Sequence, residues 1–134
     1  MAVGLIAATA NGWLNTLGGT GGASFTAIST PFIKLHIGDP GAAAATAPSV
    51  GSTTRVAVTY STASGGVKTM NGTLPVWTNG GTSETLSHIS LWDTVGPTGG
   101  NPTLTGALTT PQAWASGNTF TLSSLSISLS PLAA

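Results

Sequence analysis

Thr82-Ser-Glu-Thr-Leu-Ser-His-Ile-Ser-Leu-Trp-Asp93 lies within the longest run of the chain that is free of both Gly and Pro. Its alternation is loose. Ile89 and Leu91 fall on one face, Leu86, His88 and Trp92 on the other. Apolar side chains on both faces mark a strand covered on both sides rather than an edge. The stretch is therefore read as a central strand, with the shorter and more polar segments around it pairing with it or packing over it.

Upstream, Pro31-Phe-Ile-Lys-Leu-His-Ile37 alternates cleanly, with Phe32, Lys34 and His36 one way and Ile33, Leu35 and Ile37 the other, as in a half-exposed strand. Asp39-Pro-Gly41 turns the chain, and Ala42 to Ser52 reads as a long surface loop. Thr54 to Tyr60 predicts a second strand, with Val56, Val58 and Tyr60 inward and Arg55 outward. Val67 to Met70 is a short strand, and Asn71-Gly72 is the dipeptide of a tight hairpin returning through Thr73 to Thr78. Pro75 places that returning run at a sheet edge.

Downstream, Val95 to Pro102 is a loop by every local signal. Thr103 to Thr109 predicts a strand ended by Pro111, followed by strands at Asn118 to Leu122 and Leu125 to Leu129. The alternation slips by one residue at Ser123-Ser124, which implies a bulge or a bend between sheets. At the start of the chain, Val3, Ile6, Ala10, Trp13, Leu14 and Leu17 are spaced as one face of a helix, with Gly18-Gly19 as its stop. The expected organisation is an N-terminal helix with a Gly-rich linker over residues 1–22 and an all-β domain over 23–134. That domain is an antiparallel β-sandwich or jelly-roll-like barrel of about seven to eight short strands.

Only 4% of the 134 residues are charged, against roughly 25% in a typical soluble domain. Lys34, Arg55 and Lys68 balance Asp39, Glu84 and Asp93, so the formal net charge is zero. There is no basic footprint for nucleic acid and no polybasic patch for a membrane surface. A neutral chain with a mean hydropathy of +0.32 has little electrostatic protection against self-association. Its surface is expected to be covered by copies of itself or by partners. Cysteine is absent, which excludes disulfides and thiolate metal sites and fits a reducing cytoplasm. No apolar run is long enough to span a bilayer. Residues 1–10 resemble a short signal-peptide core but carry no Lys or Arg before it, so they are read as part of the mature protein.

Chemistry is sparse. His36 and His88 are the only imidazoles, and three scattered acids do not complete a metal site around them. No Ser stands in a Gly-x-Ser-x-Gly elbow, and Gly18-Gly-Thr-Gly-Gly22 lacks the strand and the Lys-Ser/Thr of a phosphate loop. No catalytic, metal or cofactor site is therefore expected, and His88 is read as a packed residue donating to a carbonyl or hydroxyl. Of the four tryptophans, Trp13 and Trp92 are expected in the core. Trp77 and Trp114, near loops, are expected to cover interfaces, together with Trp13, Leu14 and Leu17. A sugar platform on Trp77 or Trp114 is the competing reading.

Arg55-Val-Ala-Val58, Pro75-Val-Trp77, Ser87 to Asp93, Gly106-Ala-Leu-Thr-Thr-Pro111 and Gly117-Asn-Thr-Phe-Thr-Leu122, with Ala10-Asn-Gly-Trp-Leu-Asn15 at the start, are together similar to a family of short virion proteins. These come from tailed phages of actinobacteria and are usually labelled tail fibre or minor structural proteins. The resemblance implies a non-enzymatic component of a particle assembled in the host cytoplasm. Its expected partners are itself, as a homotrimer, and the major capsid protein or tail proteins. Capsid decoration, stabilising the shell, is the leading expectation; a tail protein contacting host-surface glycan is the alternative. A lectin-like secreted domain, cleaved after Ala10, is the third.

Overall fold

The computed structural model describes residues 3–17, 22 and 24–129. Among these described residues, ten strands and one helix follow in order: β1 (Gly4–Leu5), α1 (Ala7–Thr16), β2 (Phe32–His36), β3 (Val56–Ala57), β4 (Thr59–Tyr60), β5 (Val67–Asn71), β6 (Val76–Thr78), β7 (Glu84–Trp92), β8 (Pro102–Trp114), β9 (Thr119–Thr121) and β10 (Ser126–Ser128). All pairings are antiparallel. They build a five-stranded sheet in the order β1-β8-β7-β2-β3, a three-stranded sheet β10-β5-β4 and a two-stranded ribbon β6-β9. The architecture is all-β and sandwich-like, with no closed barrel. β7 is the middle strand of the large sheet, as its sequence predicts.

One face of the large sheet presents Ile33, Leu35, Leu86, Ile89 and Leu91 to a core completed by Val58, Met70, Trp77, Trp114 and Leu122. Leu86 was expected on the opposite face from Ile89. The register explains the difference. Leu86 pairs with Gln112 and His88 with Ala107, so the four residues 108–111 of β8 bulge opposite Ser87 alone. The irregularity resets the phase of β7 and returns Leu86 to the core face. It also lets β8 run through Pro111, which sequence reading took as its end, because a bulge needs no ladder donor there.

The N-terminal expectation of a helix from Val3 to Leu17 is corrected. Gly4 and Leu5 pair with Thr105 and Leu104 at the open edge of β8, and the helix begins only at Ala7. The predicted stop at Gly18-Gly19 lies outside the described residues. The Asn71-Gly72 hairpin is corrected too. Gly72 does take a positive φ of +73°, but β5 pairs with β4 and β10 while β6 pairs with β9. The chain turns there and leaves for another sheet. The phase slip at Ser123-Ser124 has the origin it implied: β9 and β10 on either side of it belong to different sheets.

The segment Ala42 to Ser52, expected as a surface loop, is pinned to the body. Ala44 and Ser49 are buried, Ser49 N–H donates to Leu35 C=O at 3.0 Å, and Gly80 N–H donates to Gly51 C=O at 2.8 Å. Backbones approach so closely at this crossing that a Cβ on Gly81 would lie 2.6 Å from the Val50 carbonyl oxygen. Because the obstacle is main chain, it cannot swing aside. Gly81→Ala is expected to cost about 1–3 kcal/mol, read as a lower midpoint in urea denaturation.

Candidate functional site

The face of the large sheet opposite the core carries most of the titratable chemistry. Lys34, His36, His88, Ser90 and Trp92 project there from β2 and β7, which pair residue for residue from Phe32↔Trp92 to His36↔His88. His36, expected on a half-exposed face, is fully buried. Its Nδ1–H donates to the Thr46 carbonyl at 2.9 Å, so Nε2 accepts from the Ser90 hydroxyl at 2.7 Å. Ser90 Oγ in turn accepts from Trp92 Nε1–H at 2.7 Å. The chain of donors and acceptors is satisfied with a neutral ring. Burial holds the His36 pKa below its ordinary 6.5, against the raising effect of the Thr46 carbonyl.

That shift fixes the sign of a pH effect. As pH falls below about 6.5, the unfolded His36 takes up a proton that the folded ring resists, so stability falls. Above that value the contribution is fully present. Denaturation midpoints should therefore drop as pH is lowered from about 7 to about 5, and the drop should flatten in His36→Gln.

Arg55, expected to point to solvent, is buried on this same face at 3% exposure. Alternation does place it opposite Val56, but the space there is filled. Its guanidinium stacks 3.7 Å from the Trp92 ring centroid, and Nη1 donates to Gly99 C=O at 2.9 Å, Thr94 Oγ1 at 3.0 Å and Thr94 C=O at 3.3 Å. Arg55 pins the 94–99 loop against the sheet. Burial lowers its pKa and the Asp93 carboxylate opposes the shift.

The carboxylates are bound to backbone. Glu84 accepts from the Ser49 hydroxyl and from the amides of Val50 (3.1 Å) and Gly51 (3.2 Å). Asp93 accepts from Asn101 N–H and Nδ2–H, and Asp39 from Gly41 N–H. None converges with the histidines, and among the described residues no group of three His, Asp or Glu side chains could hold a metal ion. The His88 ring meets Ser87 Oγ through Nδ1 at 2.9 Å, while its buried Nε2 has no partner among the described residues.

The residues singled out for interfaces separate into two groups. Trp77 and Trp114 are inside, at 2% and 3% exposure. Their indole N–H groups donate to Thr54 C=O and Asn118 C=O, each at 3.0 Å, and Phe120 packs against both rings. Neither offers a face on which a sugar could stack. Trp13, expected in the core, is half-buried and packs edge-on against Phe25 with centroids 5.6 Å apart. Trp92 is buried, but on the Arg55 face rather than in the main core. Leu14 and Leu17 face outward at 64% and 84% exposure.

α1 has no charged residue and buries only Thr9 and Gly12. It is strapped by Phe25 N–H, which donates to Gly12 C=O at 2.9 Å, at an approach only a glycine fits comfortably. Between this arm and the sandwich lies an apolar groove of about 320 Å³, walled by Leu5, Trp13, Phe25, Tyr60, Ile127 and Leu129, with Lys68 as its one charged neighbour. Leu5 and Leu129 at its rim are exposed. The Tyr60 hydroxyl in its wall is buried without a partner among the described residues, and burial pushes its pKa up. A second, open trough of about 780 Å³ runs between the far half of β8 and β9, lined by neutral groups such as Thr110, Gln112, Thr119 and Thr121. Neither hollow gathers an acid–base pair.

A scan against protein families matches residues 4–130 to the family described as podophage GP4 fiber I protein gp80. The chain belongs to this fibre family. The match spans the arm, the helix and nearly all of the β domain, so it covers both surfaces described above. Membership in the fibre family makes the chain a structural protein of a phage virion, in agreement with the resemblance carried by its motifs. A comparison with curated proteins gives no match. No described helix is long and apolar enough to cross a membrane.

Proposed function

We propose that the chain is a structural subunit of a podophage fibre that assembles with copies of itself through its N-terminal arm. The observation that carries this reading is the fibre-family match over residues 4–130, which takes in the arm and its outward-facing leucines. Trimeric assembly is the expected form. Capsid decoration, favoured by composition, draws no support from a family described by its fibre. The role is read as non-enzymatic.

Contact with a host-surface glycan is the second reading. The open trough favours it, because its neutral hydroxyl and amide lining suits an uncharged sugar better than the buried indoles do. Gold-labelling the protein in intact particles tests the main reading. Label on fibres supports it, whereas label spread over the head restores decoration and overturns it.

A further inference from the structure

The sequence contains three Asn-Gly dipeptides, at Asn11-Gly12, Asn71-Gly72 and Asn79-Gly80. A glycine after asparagine leaves the next backbone nitrogen unshielded, so that nitrogen can reach Cγ of the asparagine side chain. The fold treats the three pairs differently. We propose that Asn71-Gly72 is a self-modification site, at which the chain converts its own Asn71 to aspartate and isoaspartate with help from the Thr59 hydroxyl.

Two of the pairs are locked. Asn79 is buried; its Nδ2 donates to Trp114 C=O at 2.9 Å and Thr82 C=O at 3.1 Å, and its Oδ1 accepts from Gly81 N–H at 2.9 Å. Gly80 N–H, which would have to attack, donates to Gly51 C=O at 2.8 Å. Asn11 lies inside α1, where Gly12 is buried and stands beyond the first turn, so its N–H belongs to the helical ladder. Asn71 is different. It is the last residue of β5, and both it and Gly72 are exposed. Among the described residues no hydrogen bond ties its side-chain amide or Gly72 N–H.

Thr59 supplies the chemistry. It pairs with Asn71 across β4 and β5, and its Oγ1–H donates to Asn71 C=O at 2.7 Å. The hydroxyl also lies over Gly72, where a Cβ would stand 2.8 Å from it. When hydroxide removes the Gly72 amide proton, negative charge spreads onto the Asn71 carbonyl oxygen, where the Thr59 hydrogen bond stabilises it. The nitrogen then forms a bond to Asn71 Cγ, the Cγ–Nδ2 bond breaks, and ammonia leaves with a proton from water. Water opens the resulting succinimide at either carbonyl, giving aspartate or isoaspartate. Conversion adds one negative charge to a chain of zero formal net charge. As isoaspartate it also lengthens the main chain where it leaves β5 for another sheet.

Peptide mapping by mass spectrometry, on folded protein held in mildly alkaline buffer, reads all three sites at once. Asn71 should convert at least about tenfold faster than Asn11 and Asn79, which react only through local opening. In urea the three rates should converge. Asn71 converting no faster than Asn79 in the folded protein overturns the site, and this comparison needs no variant. Thr59→Val and Thr59→Ala should each slow Asn71 about three- to tenfold in the folded state and leave its rate in urea unchanged, whereas Thr59→Ser keeps the wild-type rate. Unchanged or faster conversion in the valine and alanine variants, or equal slowing in the serine variant, overturns the part given to the hydroxyl.

Discussion

Trp77→Ala is expected to remove about 4 kcal/mol of stability, a large share of what a domain of this size possesses. The side chain is 2% exposed and sits in the main core. Truncation loses its transfer free energy and leaves a cavity beside Phe120, whose ring centroid lies 6.0 Å away. It also strands the Thr54 carbonyl, which accepts from the indole N–H at 3.0 Å and would remain without that donor. Trp77→Phe should recover much of the packing but not the hydrogen bond. Guanidinium denaturation checks both; a loss below about 1 kcal/mol in the alanine variant would contradict core placement. Loss of a binding signal in Trp77→Ala would accordingly report unfolding rather than a sugar contact.

Arg55→Ala is expected to cost about 3 kcal/mol. The guanidinium is buried, stacks on Trp92 and supplies the Nη1 bonds that hold Thr94 and Gly99. Its removal leaves those oxygens without their donor and opens space over the indole. Arg55→Lys should rescue only part, since an ammonium neither stacks as a plane nor reaches with a rigid fork. Hydrogen exchange should rise locally over residues 94–101 in both variants, and denaturation should show the larger loss for alanine. Unchanged exchange in that loop would mean that Arg55 does not hold it.

How much of this was legible depended on whether a feature is local. The middle position of β7 was readable from its length and two-sided apolar content, and the sheet change between β9 and β10 from a break in alternation at Ser123-Ser124. Leu86 was misplaced because the bulge that flips it belongs to β8, and only the pairing reveals it. Arg55 alternates away from Val56 as expected, yet the 94–99 loop folds over that face, a contact between segments 39 or more positions apart. Asn71-Gly72 says how the backbone bends and nothing about which strands then pair. The exposed leucines of α1 were legible as candidates, whereas the groove draws on Leu5, Tyr60, Ile127 and Leu129, distant residues that only the fold assembles.

The irregular half of β8 bears on colloidal behaviour. Beyond Thr105 no described strand covers its outer edge, and a chain with 4% charged residues has few lysines with which to guard it. Pro111 and the swollen stretch around it break the straight row of amides that amyloid-like stacking needs as a template. At this edge geometry thus replaces charge as the barrier to cross-β growth.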